Sequence, residues 1–488
     1  MYFPSLEQFR EKAKEGNLIP VYKEIMADME TPVTAFLKID TGNYSFLLES
    51  VEGGEKWARY SFLGSNPSII FKCKGSKITI SRDSVTESFE SGDPLSELKK
   101  LLEVYRPVNL PELPRFYGGA VGFLGYDMVR FFEDIGNRAD DTLQTDDAVF
   151  AITDTILIFD NLKHRIKVVS NAHIDGDVDS AYMAATARID AIIERLKAPF
   201  PAREQKEGGM ASILPEIPKE AFLEMVNNAK DYIKAGDIIQ VVLSQRFKAE
   251  LKADPFNIYR ALKLINPSPY MYYLKLDDLK IIGTSPEILV RVEGGNVEVR
   301  PIAGTRPRGK TDEEDKALEK ELLADPKERA EHIMLVDLGR NDIGRVSEVG
   351  SIHVTELMTV ERYSHVMHIV SNVRGRLKGG IDNFEVLRAT FPAGTVSGAP
   401  KVRAMEIIEE LETSRRGPYA GCLGYVSFSG NMDMCITIRT MFIKGDTIYM
   451  QAGAGIVADS DPPSEYQETV NKATALFKAV EMASRGLE

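Results

Sequence analysis

The sequence has few cysteines and no long apolar stretch. Cys73, Cys422 and Cys435 are odd in number and widely spaced, and no CxxC pair occurs. This pattern argues against a disulfide framework or a zinc site and favours a reducing compartment. No run of about 18 apolar residues is present, and the first residues lack the apolar core of a secretory signal. We therefore expect a cytoplasmic protein that neither crosses a membrane nor is secreted.

The bulk composition is that of a globular protein. The 488 residues carry a formal net charge of −13, with 43% hydrophobic and 27% charged residues. A chain of this length can bury a large core, and it allows about two or three domains. Because the chain is acidic, we expect no nucleic-acid or membrane partner, although a local basic pocket could still bind a small anion.

One composition shift divides the chain. Residues 198–218 are rich in proline, glycine and charge, which is typical of a linker. Before it, β-branched and aromatic runs at 33–48, 68–80 and 148–171 predict strands. The apolar spacing of 181–197 predicts an amphipathic helix.

The region after the linker mixes helices and strands irregularly. The pattern predicts a helix over 219–235 and a strand core over 238–247. There is no regular strand–helix–strand alternation, so the chain is predicted to be an α+β protein in two sequence halves.

Two segments place a pair of glutamates at the start of a helix. In 325–342, Asp325 is the expected N-cap, and Glu328 and Glu331 are three residues apart on one face. Apolar residues at positions 330, 333, 334 and 338 predict the buried stripe of this helix.

The segment 463–480 repeats the arrangement. Ser464 is the expected cap, with Gln467 completing a capping box, and Glu465 and Glu468 are again three apart. Val470, Ala473, Phe477 and Val480 form the predicted stripe.

Each glutamate pair has two interpretations. Acids in a first helical turn commonly cap the backbone and interact favourably with the helix dipole. Alternatively, both helix starts face one cavity, where four carboxylates would require a hard divalent cation such as Mg²⁺. Spacing alone leaves both interpretations open.

Three loops could hold an anion. Residues 298–309 place Arg300, Arg306 and Arg308 around a bare Gly-Thr turn. Residues 391–412 are a small-residue loop that opens a helix, and free backbone N–H groups there suit a carboxylate. The strand in 448–461 ends in Gly453-Ala454-Gly455, which is either a tight turn or a place of close backbone approach to a ligand.

Histidine and cysteine chemistry is sparse. His365 and His368 are three residues apart beside apolar residues, where a structural role is common. The AGCLGY segment around Cys422 looks like the nucleophile turn of glutamine amidotransferases, but no histidine follows Cys422 anywhere in the chain. Cys422 is therefore expected to be a small buried residue.

Six motifs together resemble a known family. They are PIAGTRPRG, EHIMLVDLGRND, RYSHVMH, GTVSGAPKVRAMEII, QAGAGIVADSDP and SEYQETVNKA, in that order. They resemble the chorismate-utilising enzymes, and among them the large subunits (component I) of anthranilate synthases, over nearly the whole chain. The resemblance implies an α+β fold built as a large β-sandwich of mostly antiparallel sheets flanked by helices. It implies a regulatory, tryptophan-binding region over 1–205 and a chorismate-binding catalytic region over 215–488.

The resemblance also implies roles for individual residues. Glu331 and Glu468 match metal ligands for Mg²⁺, with Glu328 and Glu465 beside them. His368 matches the catalytic histidine, Glu287 is the expected general acid, and Thr395 matches a further catalytic-site position. The implied substrate contacts are Gly304, Thr305, Tyr419, Arg439, Gly453, Ala454, Gly455, Lys472 and Gln240. The implied tryptophan pocket is formed by Glu49, Ser50, Pro269, Tyr270 and Met271.

The implied reaction adds ammonia at C2 of chorismate and then eliminates pyruvate. Related aminodeoxychorismate synthases have a nucleophilic lysine at the position of Ala303, and isochorismate and salicylate synthases have a water-activating lysine at the position of Gln240. Since both lysines are absent here, ammonia is the expected attacker. The expected partner is a separate glutamine amidotransferase subunit in a hetero-oligomer, and tryptophan is the expected inhibitor.

Three alternatives stay open on sequence alone. The chain could be another chorismate enzyme, such as an aminodeoxychorismate or salicylate synthase. It could be a phenazine-type enzyme that stops at the aminated intermediate. It could also be a non-catalytic tryptophan-binding subunit.

Overall fold

The computed structural model describes residues 1–50, 59–82, 84–200, 212–363 and 366–487. Its helices are α1 (Leu6–Lys12), α2 (Pro32–Ile39), α3 (Pro94–Glu103), α4 (Val178–Lys197), α5 (Lys219–Ala235), α6 (Pro255–Ile265), α7 (Asp312–Ala324), α8 (Pro326–Gly344), α9 (Asn383–Thr390), α10 (Lys401–Leu411) and α11 (Pro462–Ser484). Two short 3₁₀ helices span Tyr126–Phe131 and Gly394–Val396.

The strands of the first half are β1 (Leu18–Met26), β2 (Tyr44–Glu49), β3 (Tyr60–Ser65), β4 (Ile69–Lys74), β5 (Lys77–Arg82), β6 (Val85–Glu90), β7 (Gly119–Leu124), β8 (Ala148–Thr153), β9 (Thr155–Asp160) and β10 (Arg165–His173). Those of the second half are β11 (Leu214–Pro215), β12 (Gln240–Glu250), β13 (Tyr270–Leu276), β14 (Leu279–Ser285), β15 (Ile288–Glu293), β16 (Asn296–Val299), β17 (Ile302–Pro307), β18 (His353–Arg362), β19 (Val366–Arg376), β20 (Gly398–Ala399), β21 (Cys422–Ser427), β22 (Met432–Ile436), β23 (Thr440–Lys444) and β24 (Thr447–Ile456).

The strands form two 12-stranded antiparallel sheets, which confirms the predicted α+β sandwich. The first sheet runs β1-β10-β9-β3-β2-β13-β14-β23-β24-β12-β11, with β20 beside β12. The second runs β17-β19-β16-β15-β22-β21-β7-β8-β4-β5-β6, with β18 beside β19.

Both sheets are shared between the two halves of the sequence. In the first sheet, β2 pairs with β13 and sets Glu49 opposite Met271. In the second, β7 pairs with β21 and sets Phe123 opposite Leu423. The assignment of regulation to 1–205 and catalysis to 215–488 stays a prediction, and most of the predicted linker lies outside the described residues.

The core lies on both faces of the first sheet. Side chains alternate along a strand, so successive residues of β2 face opposite ways. Phe46 packs into a cluster that includes Phe123 and Val290 of the second sheet, so this cluster lies between the sheets. Leu47 joins a second cluster with Phe36 and Tyr259, which come from the covering helices α2 and α6.

Several elements confirm the sequence predictions, and one does not. The helices predicted over 181–197 and 219–235 are α4 and α5, and the strand core predicted at 238–247 lies in β12. The run 33–48 was expected to be strand, but its first part is helix α2. Thr31 caps that helix in a reciprocal capping box with Thr34, and Pro32 occupies its first turn. These local start signals outweigh the β-branched composition.

The buried stripe predicted for α8 was wrong. Ile333 is 48% exposed, and the buried face carries His332, Leu335, Val336 and Ile343 instead. The cap of α11 was also misassigned, because Asp461 accepts the N–H of Ser464 and takes the N-cap position. None of the described helices is long and apolar enough to span a membrane.

Candidate active site

The first turn of α8 lies against Gly304 and Thr305, which were expected to form a turn but lie in strand β17, where its pairing with β19 shifts register. Asp325 caps the helix by accepting the N–H groups of Lys327 and Glu328, as predicted. Gly304 has φ +68°, and a Cβ at this position would come 3.2 Å from Glu328 Oε2. A side chain at 304 would therefore be strained and would crowd the carboxylate, which explains a glycine here.

Glu331, one turn further along α8, contacts strand β12. Gln240 Nε2 donates to Glu331 Oε1 at 3.1 Å. A Cβ on Gly455 would come 2.5 Å from the same Gln240 nitrogen, because Gly455 lies opposite Val242 in the β12–β24 pairing. The helix, Gln240 and the GAG segment thus form adjoining walls.

The first turns of α11 approach the same region. Lys472 Nζ bonds Glu468 Oε1 at 2.7 Å and donates to the carbonyl oxygen of Gly453 at 3.0 Å. Burial raises the pKa of Glu465, and Ser460, Lys327 and Lys472 partly oppose this shift. Since Lys327 belongs to the first turn of α8, the two helix beginnings lie within electrostatic range of each other.

The glutamate pairs are under like-charge strain. Burial raises the pKa of Glu328, and Glu331 adds to the shift, while Arg306 opposes it. Among the described residues, no three His, Cys, Asp or Glu side chains form a ready-made metal cluster. Mg²⁺ commonly binds through one or two carboxylates and several waters, so the hard oxygen donors Glu331 and Glu468 fit this ion.

Glu287 is a buried carboxyl group behind the Ile302–Thr305 segment. Its side chain is 6% exposed. Burial raises the pKa of Glu287 to about 8, and the nearby Thr395 hydroxyl, the Ile302 N–H group and the charges of Arg439 and Lys472 oppose the shift only in part. At neutral pH this group carries a proton that it can donate.

His368 lies on β19 beside Gly304 and Thr305. Its Nδ1 is 2.9 Å from the carbonyl oxygen of Gly304 and 3.1 Å from Thr305 Oγ1. Burial lowers the pKa of His368 to about 4, and Arg439 and Lys472 add to this. A carbonyl oxygen can only accept, so the neutral ring carries its proton on Nδ1 and leaves the Nε2 lone pair free. His365 lies outside the described residues.

The three arginines of 298–309 do not form the expected anion site. Arg300 pairs with Glu361 and Glu356, Arg306 pairs with Glu321, Asp325 and Glu328, and Arg308 pairs with Asp315. Their charge is already compensated by acidic side chains of β18, α7 and α8. Sequence proximity to Gly304 and Thr305 was therefore misleading.

Arg439 differs from these three arginines in its partners. It is partly buried, and none of the described residues forms an ion pair or a side-chain hydrogen bond with its guanidinium group. Burial lowers the pKa of Arg439, while Tyr363 and Glu287 partly oppose this. Arg439 acts electrostatically on both Glu287 and His368. An uncompensated guanidinium beside these two groups is suited to bind an anion.

The GAG segment is a strand, not a tight turn. Residues Gly453, Ala454 and Gly455 pair with β12 over Val242 to Ser244. A Cβ on Gly453 would lie 2.9 Å from the Tyr419 hydroxyl oxygen, so the ring of Tyr419 packs directly on this backbone. Close backbone approach, rather than a turn, accounts for the glycines.

The loop predicted within 391–412 contains a short 3₁₀ helix, and Cys422 lies in strand β21. The small-residue loop of 391–412 forms the 3₁₀ turn Gly394–Val396, which contains Thr395, and Pro400 takes the N-cap position of α10. Cys422 is fully buried and unpaired, and burial raises the pKa of its thiol, which confirms a structural cysteine.

A second cavity, of about 410 Å³, lies at the β2–β13 junction between the sheets. All five residues of the predicted tryptophan pocket line it: Glu49, Ser50, Pro269, Tyr270 and Met271. The structure adds residues that sequence reasoning missed, among them Arg59, Arg115 and Tyr425. Glu49 is not a free carboxylate, because Tyr259 and Lys263 donate hydrogen bonds to it.

Sequence reasoning also missed Arg416, a fully buried arginine that pairs with Glu412 behind Tyr419. Its signal was the SRRGPY segment, which sets two arginines just before Tyr419. The sequence did not show that one of these arginines is buried.

Comparisons with known proteins agree with the sequence resemblance. The family model described as chorismate binding enzyme matches residues 45–478. The anthranilate synthase component 1 proteins of Acetivibrio thermocellus and Aquifex aeolicus are each 52% identical to this chain, over 99% of both chains. A crystal structure of anthranilate synthase component I from Streptococcus pneumoniae is 42% identical, with a TM-score of 0.79 over 93% of this chain and 99% of that one.

A more distant structure shares the fold. The menaquinone-specific isochorismate synthase of Escherichia coli is 18% identical, with a TM-score of 0.72 over 98% of this chain and 99% of that one. The family-model match and the full-length identities together place this chain in the chorismate-binding enzyme family, in its anthranilate synthase component I branch.

Proposed function

We propose that this chain converts chorismate and ammonia to anthranilate and pyruvate, the first committed step of tryptophan biosynthesis. The observation that carries the proposal is the uncompensated guanidinium group of Arg439 beside a protonated Glu287 and a neutral His368. Chorismate offers carboxylates and a leaving hydroxyl group, and its C2-aminated intermediate offers the ring proton whose removal aromatises the ring. The similarity to anthranilate synthase component 1 proteins over the full length supports the same substrate.

Arg439 is placed to bind the enolpyruvyl carboxylate. A charge-assisted pair in a partly dry site is stronger than one in water, and Arg439 has no carboxylate partner to displace among the residues that the structure describes. Tyr419 and the backbone of Gly453 to Gly455 would complete this part of the site. Together they would hold the substrate in register with the acid and the base.

Glu287 would act as the general acid of the first step. Ammonia forms a bond to C2, both ring double bonds shift (C1=C2 to C1=C6 and C5=C6 to C4=C5), and the C4–O bond breaks. The proton of Glu287 leaves with the hydroxyl group as water, so the group must be protonated before the step. Its pKa of about 8 satisfies this requirement at neutral pH.

His368 would act as the base of the second step. Its Nε2 lone pair is free because Nδ1 faces the Gly304 carbonyl oxygen. Removal of the C2 proton drives cleavage of the C3–O bond, pyruvate leaves, and the ring becomes aromatic. A neutral imidazole is required for this, and the pKa of about 4 keeps it neutral.

Glu331 and Glu468 would hold Mg²⁺, with Glu328 and Glu465 beside them. When bound, the ion supplies Lewis-acid stabilisation to the ring carboxylate of the substrate. Burial raises the pKa values of Glu328 and Glu465, and the neighbouring Glu331 and Glu468 add to these shifts, so a cation at this place would be favoured by all four carboxylates.

We also propose that ammonia is delivered by a glutamine amidotransferase subunit. Cys422 is buried within β21, and no histidine follows it in the sequence, so the AGCLGY segment cannot form a glutaminase site. The second component implied by the name of the relatives would supply this activity. Free ammonium should replace it in the assay.

Tryptophan is proposed to bind the cavity at the β2–β13 junction. A volume of about 410 Å³ is within the range of small-molecule sites. The indole would pack on Pro269 and Met271. Because Glu49 already accepts from Lys263, the ligand ammonium group would have to share this carboxylate.

The product distinguishes this function from its rivals. The chain is incubated with chorismate, Mg²⁺ and ammonium, and the products are identified by fluorescence and mass. We expect anthranilate and pyruvate in equal amounts. Aminodeoxychorismate, salicylate or an aminated intermediate that accumulates as the end product would contradict the proposal and identify the corresponding rival, and no product would favour a non-catalytic subunit.

A further inference from the structure

The largest of the fully buried side chains is an arginine directly behind the site. Arg416 is 1% exposed and lies in the segment between α10 and β21. Its Nε and Nη2 donate to the two carboxylate oxygens of Glu412 at 2.8 and 2.6 Å. A buried arginine and a bidentate carboxylate cost desolvation and are often replaceable by apolar residues, so stability alone does not explain the pair.

The remaining donors of Arg416 reach two different walls of the site. Nη1 donates to the carbonyl oxygen of Val396 at 2.7 Å, and Val396 directly follows Thr395. Nη2 also donates to the carbonyl oxygen of Val242 at 2.7 Å, and Val242 is two residues beyond Gln240 on β12. One planar group therefore adds a second link between the Thr395 loop and the Gln240 strand, beside the backbone pairing of β20 with β12.

Aromatic rings enclose the same guanidinium group. Its central carbon lies 5.7 Å from the ring centre of Tyr419 and 4.7 Å from that of Tyr126. Tyr419 packs on Gly453, so the position of Arg416 also determines how the Tyr419 hydroxyl meets the GAG strand. Cation–π contacts are strongest where water is excluded, as here.

Glu412 connects Arg416 to strands β12 and β24. It accepts from the N–H and hydroxyl groups of Ser244, at 2.8 and 2.9 Å. Gln451, two residues before Gly453 on β24, donates to the same hydroxyl oxygen at 2.9 Å. The pair thus connects the Thr395 loop, β12, β24 and Tyr419 without entering the cavity itself.

We propose that Arg416 is a positioning residue for chorismate: it touches no substrate atom, and its planar fork sets the relative positions of Thr395, Gln240 and Tyr419. This inference rests on the proposed function. Lysine carries the same charge, but its three donors share one nitrogen atom, so it can keep the contact with Glu412 and cannot at the same time reach the two carbonyl oxygens on opposite sides.

The test compares two arginine-to-lysine substitutions. Arg416→Lys is matched by Arg246→Lys, because Arg246 is 4% exposed and its short bonds are to Glu216 and Thr142, while its long bond from Nη1 to the carbonyl oxygen of Arg415, at 3.4 Å, ends on backbone next to Arg416. Anthranilate formation is measured at saturating Mg²⁺ and ammonium over a range of chorismate concentrations. Circular dichroism and thermal unfolding report the folded fraction of each variant.

We expect Arg416→Lys to raise the KM for chorismate by about ten-fold or more, and Arg246→Lys to leave it within about two-fold of the wild type. If Arg416 were merely structural, a smaller folded fraction would lower the maximal rate at unchanged KM, and that result would overturn the inference. A second variant, Glu412→Gln, places an amide N–H against the guanidinium group and should raise the KM by a few-fold; an unchanged KM there would also overturn the inference. If the wild type and Arg246→Lys make no anthranilate, the proposed function itself is wrong.

Discussion

At the scale of single residues, the site depends on two groups that burial keeps uncharged at neutral pH. Glu287 is protonated although it lies near positive charge, and His368 is neutral, which the same positive charges favour. Burial is the larger cause in both cases, because it disfavours the charged form of either group. The acid and the base of the proposed reaction are therefore prepared before substrate binds.

Replacement of Glu287 tests the acid. We expect Glu287→Gln to lower kcat by about 10²- to 10⁴-fold with little change in the KM for chorismate, because the amide cannot supply the proton. In the wild type, kcat should fall as the pH rises through about 8, where Glu287 loses its proton. Steady-state rates from pH 6 to 10 check both statements. A Gln variant with wild-type kcat would exclude Glu287 as the acid.

Glu287 also links stability to pH. Its pKa is higher in the folded chain than the ordinary value of 4.5, so the folded state binds the proton more tightly. The contribution of Glu287 to stability is complete below about pH 4.5 and is lost as the pH rises towards 8. Urea unfolding at several pH values should show this slope in the wild type and a smaller slope in Glu287→Gln.

Replacement of His368 tests the base. Since His368 is assigned to the second step only, His368→Asn should still add ammonia and should stall before pyruvate leaves. Mass analysis of the reaction mixture should show an aminated, non-aromatic intermediate with the pyruvyl group still attached. Normal anthranilate formation by this variant would remove His368 from the mechanism.

The sequence predicted the identities of these residues through the family motifs, but not their environments. Arg300, Arg306 and Arg439 are the same residue type, yet of these three only Arg439 lacks an acidic partner in the described part of the chain. The acidic partners of Arg300 and Arg306 lie on β18, α7 and α8, and these elements pack against the two arginines. This difference is a tertiary property, and no spacing rule reveals it.

At the scale of elements, the beginnings of α8 and α11 are the decisive features. Each starts with an aspartate cap and carries a glutamate pair in its first turns. The positive end of the helix dipole also stabilises carboxylates at a helix start, so capping and cation binding are compatible roles. The approach of Lys327 to Glu465 shows that the two beginnings share one region.

A substitution on α11 tests cation binding. Glu468→Gln should raise the Mg²⁺ concentration for half-maximal activity by about 10- to 100-fold, since one ligand is lost. Glu481→Gln is the matched control, because Glu481 lies near the other end of the same helix and pairs with Arg485. Magnesium titrations of both variants at saturating chorismate provide the comparison. Equal Mg²⁺ requirements would show that Glu468 is not a ligand.

Element prediction was successful where local signals agree. The helix over 219–235 was predicted with the bounds that α5 has, because its apolar spacing is regular and Gly236 ends it in a left-handed conformation. The stripe of α8 failed because apolar residues are spread around this helix, so polarity does not mark the one face that is buried. His332 is buried there, and its Nε2 is 2.6 Å from Ser371 Oγ.

At the scale of the whole molecule, the two sheets join the first and second halves of the chain. The cavity assigned to tryptophan lies where β2 meets β13, and β13 pairs directly with β14. Tyr270 is opposite Ser285, only two residues before Glu287. A ligand in this cavity would therefore contact β13, which pairs with β14, and the proposed acid follows the end of β14 by two residues.

A substitution in the cavity tests the regulatory proposal. Ser50 Oγ is buried and has no hydrogen-bond partner among the described residues, so Ser50→Phe breaks no bond that the structure shows and fills the cavity with a ring. Catalysis should stay nearly intact, while inhibition by tryptophan should weaken by at least about ten-fold. Inhibition curves for both proteins at fixed chorismate decide the matter, and unchanged inhibition would count against this pocket.

The global arrangement lay beyond sequence reasoning based on local patterns. The family resemblance predicted a sandwich, but the register that sets Glu49 opposite Met271 joins residues far apart in the chain. Likewise, nothing in the spacing of the glutamate pairs showed that Lys327, at the start of α8, acts electrostatically on Glu465, at the start of α11. Long-range pairing depends on packing against the whole core.

The most direct test of the account is the metal dependence of product formation. The chain is treated with EDTA, supplied with chorismate and ammonium, and then titrated with Mg²⁺ while anthranilate fluorescence is followed. The account predicts no anthranilate before the addition and a saturable rise in rate with Mg²⁺. Full activity in the presence of excess EDTA would contradict the claim that the two helix beginnings hold a divalent cation in the active site.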